Sequence, residues 1–479
     1  MPEPRTWQVV AGSAVLGLAL AAGAVAVAGP WDSGQRKAER ARAVTADARG
    51  GAHHAGAPAG AAPGRPAPAP SAQGVLRALS PAVGTTGTTR TGDDLAALLV
   101  PLLADPGLGP LRTASVVDAE TGRPLYAEGA GTPMPPASVV KIATTAAALR
   151  ALGPDHRITT RTVATPDGRT VTLVGGGDPT LDPARLKALA DATARALRAR
   201  GTGTPTAPVR LAYDTSLYQG PALHPIGPNE NLAPLSALMT DEARLDHSRS
   251  GPAPRAADPA RDTATAFAGL LKAAGVTVQG APGPGRAPGG PQAAPLARTD
   301  SAPLADLVER TLTHSDNDLA EALARQTALA RHQPASADGA GKAVHDELAA
   351  LRLPLAGARF ADGSGLDRRD RVSAALLTGI LTRAADPAHP ELRPVLTGLP
   401  VGGFSGTLAG RFGDGPAASG AGLVRAKTGT LTGVNTLAGT VVTGDGRLLA
   451  FAFLAGRTSS PGAAQPALDR LGAALAPRR

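Results

Sequence analysis

The chain has 479 residues, which is enough for two or three compact domains. It contains no cysteine, which excludes disulfides, thiolate metal sites, a cysteine nucleophile and a lipid-modified N-terminal cysteine. Its formal net charge is +9, but the basic residues are scattered and aromatic residues make up only 2% of the chain. We therefore expect no nucleic-acid partner, and a basic chain suits a polyanionic cell envelope equally well.

The first 30 residues predict export. Residues 9–29 carry no charge and lie between Arg5 and Pro30. A run of this length can span a bilayer, and the Ala-Val-Ala-Val-Ala sequence at 24–28 offers small-residue cleavage sites. We expect residues 1–30 to be a cleaved signal peptide or a retained membrane anchor. The rest of the chain is then extracytoplasmic, either anchored or secreted into the cell envelope.

Residues 31–91 are rich in Ala, Pro and Gly. Such a segment buries too little apolar surface to offset the entropy lost on ordering, so we interpret it as a disordered linker.

The ordered region begins near Asp93 with leucines at helical spacing. A hairpin pattern follows at 113–117 and 124–126. A proline-rich loop at 133–136 then leads into a long Ala/Leu helix that ends near Leu152. Two strands, a loop and a helix are therefore predicted in succession.

From 153 to 297 the pattern changes to short strand-like runs and turns with one helix at 183–200, which we interpret as an inserted, mostly-β subdomain. After it, helices are predicted at 303–312 and 318–330, and strands and a last helix near the C-terminus. Strands at both ends of the ordered region predict one sheet made from distant segments. Residues 92–152 and 298–479 would form that domain.

Ser138 and Lys141 are three residues apart at the start of a predicted helix, so they share one face of it. A serine hydroxyl is a poor nucleophile until a base takes its proton, and a lysine is such a base when desolvation lowers its pKa. The helix N-terminus suits the oxyanion of an acyl transfer. By itself this spacing is more often a solvated pair on a helix face.

Ser315-Asp316-Asn317 lies between two predicted helices. Its simplest interpretation is a polar turn whose side chains cap the next helix. Its functional interpretation gives Ser315 a proton-shuttling hydroxyl, and gives Asn317 an amide that positions Lys141 and binds a substrate carbonyl.

The third element is Lys427-Thr428-Gly429-Thr430 on a predicted strand. Lys427 and Gly429 face the same side, and the absence of a Cβ at Gly429 permits a close backbone approach. A lysine and hydroxyls can hold a terminal carboxylate. The alternative is an ordinary strand followed by a turn.

The three elements occur in the order Ser-x-x-Lys, Ser-x-Asn, Lys-Thr-Gly, each on the kind of element that the chemistry requires. In this the chain resembles the penicillin-recognising serine enzymes. It resembles most the class C low-molecular-mass penicillin-binding proteins (peptidase S13 type), which are D-alanyl-D-alanine carboxypeptidases and endopeptidases. The resemblance covers most of residues 93–457 and includes passages at 177–181 and 362–366. It implies an α/β (α+β) transpeptidase fold of the serine β-lactamase type, with an antiparallel sheet flanked by helices.

The resemblance also implies roles. Ser138 would be acylated by a D-Ala-D-Ala stem peptide of peptidoglycan and deacylated by water, with Lys141 as general base. Ser315 and Asn317 would support proton transfer and substrate binding. β-Lactams would be covalent inhibitors, and no metal or organic cofactor is expected.

On the same resemblance, Lys427, Thr428 and Thr430 would hold the substrate carboxylate beside Gly429. The backbone N–H groups of Ser138 and Thr430 would form the oxyanion hole. One departure is that Ser138 and Ser315 are close in sequence for this group, which implies that one inserted subdomain is reduced or absent. The balance between carboxypeptidase and endopeptidase activity stays open.

Two other functions share features of this sequence. A class A β-lactamase needs an acidic residue between the second and third motifs, and no Glu-x-x-Leu-Asn occurs there; Glu347 and Glu391 have other surroundings. A catalytically idle peptidoglycan-binding envelope protein would keep the fold, but its motif residues need not all be intact, as they are here.

Overall fold

The computed structural model describes residues 92–200, 208–290 and 293–477. The predicted signal peptide or anchor and the predicted linker lie outside these residues. Among the helices that are described, none is both long and apolar enough to cross a membrane.

The first sheet has five strands in the order β2-β1-β10-β9-β8, and every pair in it is antiparallel. Two of its strands come from the start of the described region and three from the end, as predicted. The strands are β1 (Leu111–Asp118), β2 (Pro124–Glu128), β8 (Val424–Leu431), β9 (Val434–Val442) and β10 (Leu448–Gly456).

Helices cover both faces of this sheet, which explains why β9 and β10 are buried along almost their whole length. Alternate residues of a strand face opposite sides. Ala450 and Ala452 of β10 accordingly join one core, and Phe451 and Phe453, stacked 5.3 Å apart, join the other. The helices are α1 (Gly92–Leu103), α2 (Lys141–Leu152), α5 (Leu304–His314), α6 (Asn317–Ala330), α7 (Ala337–Ala350), α8 (Ala374–Ala385), α9 (Arg393–Thr397) and α10 (Pro461–Leu475).

Helix α2 is the centre of the larger core. Its first nine residues are all buried, and most of them are alanine or threonine. Small side chains let α6 and α7 approach α2 closely, so a chain with few aromatic residues still forms a dense interior. The first residue of this buried helix is Lys141.

The second sheet is mixed, in the order β6-β5-β4-β3-β7. Its parallel pairs, β4 with β5 and β5 with β6, need crossover connections, and α3 (Pro183–Arg200) and α4 (Pro259–Ala273) supply them. The sequence pattern predicted only the first of these helices within the insertion. The strands are β3 (Thr159–Ala164), β4 (Thr170–Val174), β5 (Val209–Asp214), β6 (Val278–Pro284) and β7 (Ala294–Asp300). That residues 153–297 form an inserted subdomain stays a prediction.

Candidate active site

A single 3₁₀ turn carries Ser138 between the proline-rich loop and α2. The turn spans Ala137–Val140, and α2 begins at Lys141. Ala137 has a φ of +50°, a left-handed conformation that is unusual for a residue with a Cβ. The turn places Lys141 Nζ 3.0 Å from Ser138 Oγ.

Lys141 is fully buried, and its ammonium has three acceptors for its three protons. Besides Ser138 Oγ, these are Asn317 Oδ1 at 2.7 Å and the carbonyl oxygen of Ser364 at 2.6 Å. Burial lowers the pKa of Lys141 to about 8, and the nearby carboxylates of Asp362 and Asp316 keep it from falling further. A lysine with this pKa can accept and return a proton near neutral pH.

The second motif forms the junction of two helices. Ser315 follows α5 with a φ of +58°, and this left-handed residue ends one helix so that the next can start. Asp316 caps α6 by accepting from Leu319 N at 3.0 Å. Asn317 donates from Nδ2 to the carbonyl of Asn231 at 2.9 Å, so its amide links Lys141 to the loop between β5 and α4.

The third motif lies on β8, and its residues differ in exposure. Thr428 and Thr430 reach the cleft, and Thr428 Oγ1 donates to Thr407 Oγ1 at 2.8 Å. Lys427 is fully buried and donates to the carbonyl of Thr428 at 2.9 Å. Burial and the neighbouring Lys141 lower the pKa of Lys427 well below its ordinary value.

Position 429 requires a glycine because other parts of the chain pack closely against it. A Cβ there would lie 2.2 Å from Thr436 Oγ1 and 2.7 Å from the carbonyl oxygen of Pro136. The absence of a Cβ at Gly429 therefore lets β8 approach the segment that precedes Ser138. Strand β8 is held against the turn that carries Ser138 by this fit.

One cleft of about 290 Å³ gathers the predicted side chains. Ser138, Ser315, Asn317, Thr428 and Thr430 line it together. Lys141 and Lys427 are fully buried. The structure thus brings all three motifs to one place, although they are spread over most of the ordered chain.

The loop at 362–366 contributes a functional group that the motifs did not reveal. The carbonyl of Ser364 accepts from Lys141, and Glu321 Oε1 orients that peptide by accepting from Gly363 N at 2.9 Å and Ser364 N at 3.0 Å. Gly365 has a φ of +85°, and a Cβ there would lie 2.1 Å from the carbonyl of Ala137. Nothing in the sequence of residues 362–366 indicated that this loop packs on the turn that carries Ser138.

An ion-pair network supports the second motif from the insertion side. Asp316 pairs with Arg310, and Arg310 also pairs with Glu242. Glu242 is fully buried, and burial together with the charge of Asp316 raises its pKa while Arg310 opposes that rise; the hydrogen bond with Glu242 and the charge of Arg310 lower the pKa of Asp316. Asp318, one residue after Asn317, pairs with Arg255 at 2.8 Å.

Comparison with known proteins agrees with this geometry. Residues 95–250 and 246–475 match the sequence profile of the D-Ala-D-Ala carboxypeptidase 3 (S13) family. The chain belongs to this family. Carboxypeptidase DacB of Mycolicibacterium smegmatis is 37% identical to this S13 protein over 435 residues, 87% of this chain and 90% of the relative. The D-alanyl-D-alanine carboxypeptidase of Actinomadura sp. strain R39 is 30% identical over 438 residues, 75% of this chain and 80% of the relative.

A solved relative shows the fold. Penicillin binding protein 4 (dacB) from Haemophilus influenzae superposes with a TM-score of 0.64 at 20% identity, over 80% of this chain and 98% of that chain. The predicted fold class and the resemblance to peptidase S13 are confirmed. This S13 protein is a hydrolase, a serine-type D-Ala-D-Ala carboxypeptidase.

Proposed function

We propose that Ser138 is the acylated nucleophile and Lys141 its general base, in an enzyme that removes the terminal D-Ala from peptidoglycan stem peptides. The observation that carries this is the 3.0 Å contact between Ser138 Oγ and a buried Lys141 whose pKa is about 8. The hydroxyl lies in the cleft, where a peptide can reach it, and the base lies behind it, away from water.

The reaction follows from this arrangement. Ser138 Oγ attacks the carbonyl carbon of the penultimate D-Ala while Lys141 Nζ takes its proton. The C–N bond to the terminal D-Ala breaks, and the leaving amine takes a proton from Lys141 through the hydroxyl of Ser315. Water then attacks the ester, a proton returns to Ser138 Oγ through Lys141, and the shortened peptide leaves.

The other motif residues hold the substrate. Asn317 keeps Lys141 in place, and its amide lies in the cleft within reach of a substrate carbonyl. Thr428 and Thr430 present hydroxyls to the terminal carboxylate, with Gly429 and the buried Lys427 behind them. The backbone N–H groups of Ser138 and Thr430 would form the oxyanion hole.

β-Lactams would acylate the same serine and act as covalent inhibitors. The Haemophilus influenzae protein has been solved in complex with a β-lactam, and that structure superposes on this chain with a TM-score of 0.62. Action on the wall places the enzyme outside the cytoplasm, with residues 1–30 as a signal peptide or membrane anchor and 31–91 as a linker. The reduced insertion would leave the cleft more open than in relatives with a further subdomain.

Mass spectrometry after incubation with benzylpenicillin, followed by peptide mapping, tests the assignment. We expect one adduct, on the peptide that contains Ser138. Ser138→Ala should take up no label, and Ser216→Ala, a change at an exposed serine, should label as wild type does. An adduct on another residue would overturn the assignment. A protein that neither labels nor releases D-Ala would be the idle envelope protein.

The rate of deacylation separates this function from that of a β-lactamase. A long-lived penicilloyl-enzyme supports the carboxypeptidase. The sequence has no acidic residue, at the position that a class A β-lactamase uses, to activate a water molecule for attack on the acyl-enzyme. Fast turnover of benzylpenicillin would support a β-lactamase instead.

A further inference from the structure

A guanidinium that no motif marks lines the cleft beside Ser138. Arg244 lies in the loop between β5 and α4, and it shares the cleft with Ser138, Thr428 and Thr430. Its side chain is only 5% exposed. Among the described residues that line this cleft, Arg244 is the only lysine or arginine.

Contacts within the insertion fix the orientation of Arg244 but leave one nitrogen unused. Nε donates to Glu242 Oε2 at 2.7 Å, and Nη1 donates to Ser248 Oγ at 3.0 Å and to the carbonyl of Gly251 at 2.9 Å. Nη2 has no hydrogen-bond partner in the part of the chain that the structure describes. Because Arg244 lines the cleft and its other nitrogens are engaged, Nη2 is free to donate to an acceptor that a ligand supplies there.

The backbone before Arg244 is strained and firmly held. Asp241, Glu242 and Ala243 all have left-handed φ angles, at 47°, 55° and 55°. Glu242 is fully buried and pairs with both Arg244 and Arg310. Strain of this kind persists only where the surroundings determine the conformation, and it is common at binding sites.

The other charged side chains discussed for this cleft are buried or already engaged, so Arg244 is available to bind an anionic ligand. Lys427 is fully buried and does not line the cleft, and burial lowers its pKa well below the ordinary value. An arginine keeps its proton at every physiological pH. Asp316 also lines the cleft, but its carboxylate is already engaged by Arg310 Nε at 3.1 Å and by the N-terminus of α6.

We propose that Arg244 binds the terminal carboxylate of the substrate, sharing it with the hydroxyls of Thr428 and Thr430. This rests on the proposed function, and it assigns the positive charge of carboxylate recognition to Arg244 rather than to Lys427. In a carboxypeptidase this carboxylate belongs to the D-Ala that leaves. In benzylpenicillin the ring carboxylate takes its place.

The test compares acylation of Ser138 by benzylpenicillin and by its methyl ester, which lacks the carboxylate charge. Because a hydrogen bond between charged groups is stronger than one between neutral groups, Arg244→Gln should slow acylation by benzylpenicillin about 10- to 100-fold. The slow acylation by the methyl ester, followed by mass spectrometry at high concentration, should be the same in both proteins.

Three further variants separate binding from loop structure. Arg249→Gln removes a charge from an exposed position of the same loop and should change neither rate. Ser248→Ala removes one acceptor of Nη1 but keeps the guanidinium. Benzylpenicillin should therefore still acylate Ser138 faster than its methyl ester does. Arg244→Lys keeps the positive charge but loses the planar guanidinium with its paired donors. Part of the difference in acylation rate between the two compounds should therefore remain.

The outcomes are distinct. Equal slowing of both compounds by Arg244→Gln, with a lower melting temperature, would show a structural role and overturn the proposal. Unchanged rates with both compounds would also overturn it, while leaving the proposed function intact. A wild-type protein that forms no adduct on Ser138 would instead refute the proposed function.

Discussion

Two lysines are fully buried near the same cleft, one at the start of α2 and one on β8, and their surroundings differ in charge. Lys141 donates to three acceptors, and the carboxylates of Asp362, Asp316 and Glu321 all raise its pKa against the effect of burial. Lys427 donates to one backbone carbonyl, and its charged neighbours, Lys141 and Arg411, lower its pKa further.

Burial alone therefore does not define the chemistry of a lysine. Desolvation lowers the pKa of both, but surrounding carboxylates stop the fall of Lys141 at about 8, where it can cycle between base and acid. Lys427 lacks that compensation, so burial and the charges of Lys141 and Arg411 together disfavour its charged form. Under the proposed function the two lysines would have separate tasks, proton transfer for Lys141 and support of strand β8 for Lys427.

Removal of Lys141 should have the largest effect. Among the described residues, Lys141 is the one titratable group hydrogen-bonded to Ser138 Oγ, so in Lys141→Ala acylation by benzylpenicillin should fall by about 10³-fold or more. Thermal unfolding should stay cooperative, because α2 is held mainly by its apolar neighbours. Lys272→Ala, at an exposed position in α4, is the matched control. Rapid labelling of Lys141→Ala would mean that the base lies elsewhere.

A substitution at Glu321 tests how the surrounding carboxylates affect the pKa of Lys141, and the expected effect is smaller. Acylation by a lysine base should rise with pH through its pKa, because only the neutral amine accepts a proton. The charge of Glu321 raises the pKa of Lys141, so Glu321→Gln should move the rising limb of the rate profile to lower pH, by less than about one unit. The same substitution at exposed Glu120 should not move it. A shift to higher pH would contradict this account.

Lys427→Gln should have the smallest effect on the position of the rising limb in the pH profile of the acylation rate. Because burial disfavours the charged form of Lys427, its removal should change the electrostatics at Lys141 little. The midpoint of the pH profile should then match wild type even if the maximal rate falls about tenfold through disturbed packing of β8. The measurement is the acylation rate between pH 6 and about 10. A clear rise of the midpoint, hence a lower rate at pH 7, would show that Lys427 is a charged neighbour in the native protein.

The sequence predicted the parts of this architecture that depend on local pattern. The hairpin pattern at 113–117 and 124–126 and the strand-like runs near the C-terminus indicated strands at both ends of the ordered region. The Ala/Leu run after Lys141 indicated the helix that begins at that residue. The crossover helix α4 was not assigned to the insertion, because the parallel pairing of β5 and β6 that requires it is not visible in a local pattern.

The supporting contacts of the site could not be predicted in the same way. Lys141 is held by the backbone carbonyl of Ser364, and any residue type supplies a carbonyl, so no side chain marks the contact. Glu321 lies within a helix that looks ordinary in sequence, and its partners at 363 and 364 are distant in the chain. Arg244 is one arginine among many, and only its unused Nη2 in the cleft distinguishes it.

The most direct measurement is an NMR titration of the lysine side chains, with ¹³C at the ε carbon, in the whole protein. We expect one resonance to titrate with a pKa of about 8, and we expect that resonance to disappear in Lys141→Ala and to stop titrating once Ser138 is acylated by benzylpenicillin. If the resonance assigned to Lys141 titrates near the ordinary lysine value of about 10.4, then Lys141 cannot be the base that activates Ser138.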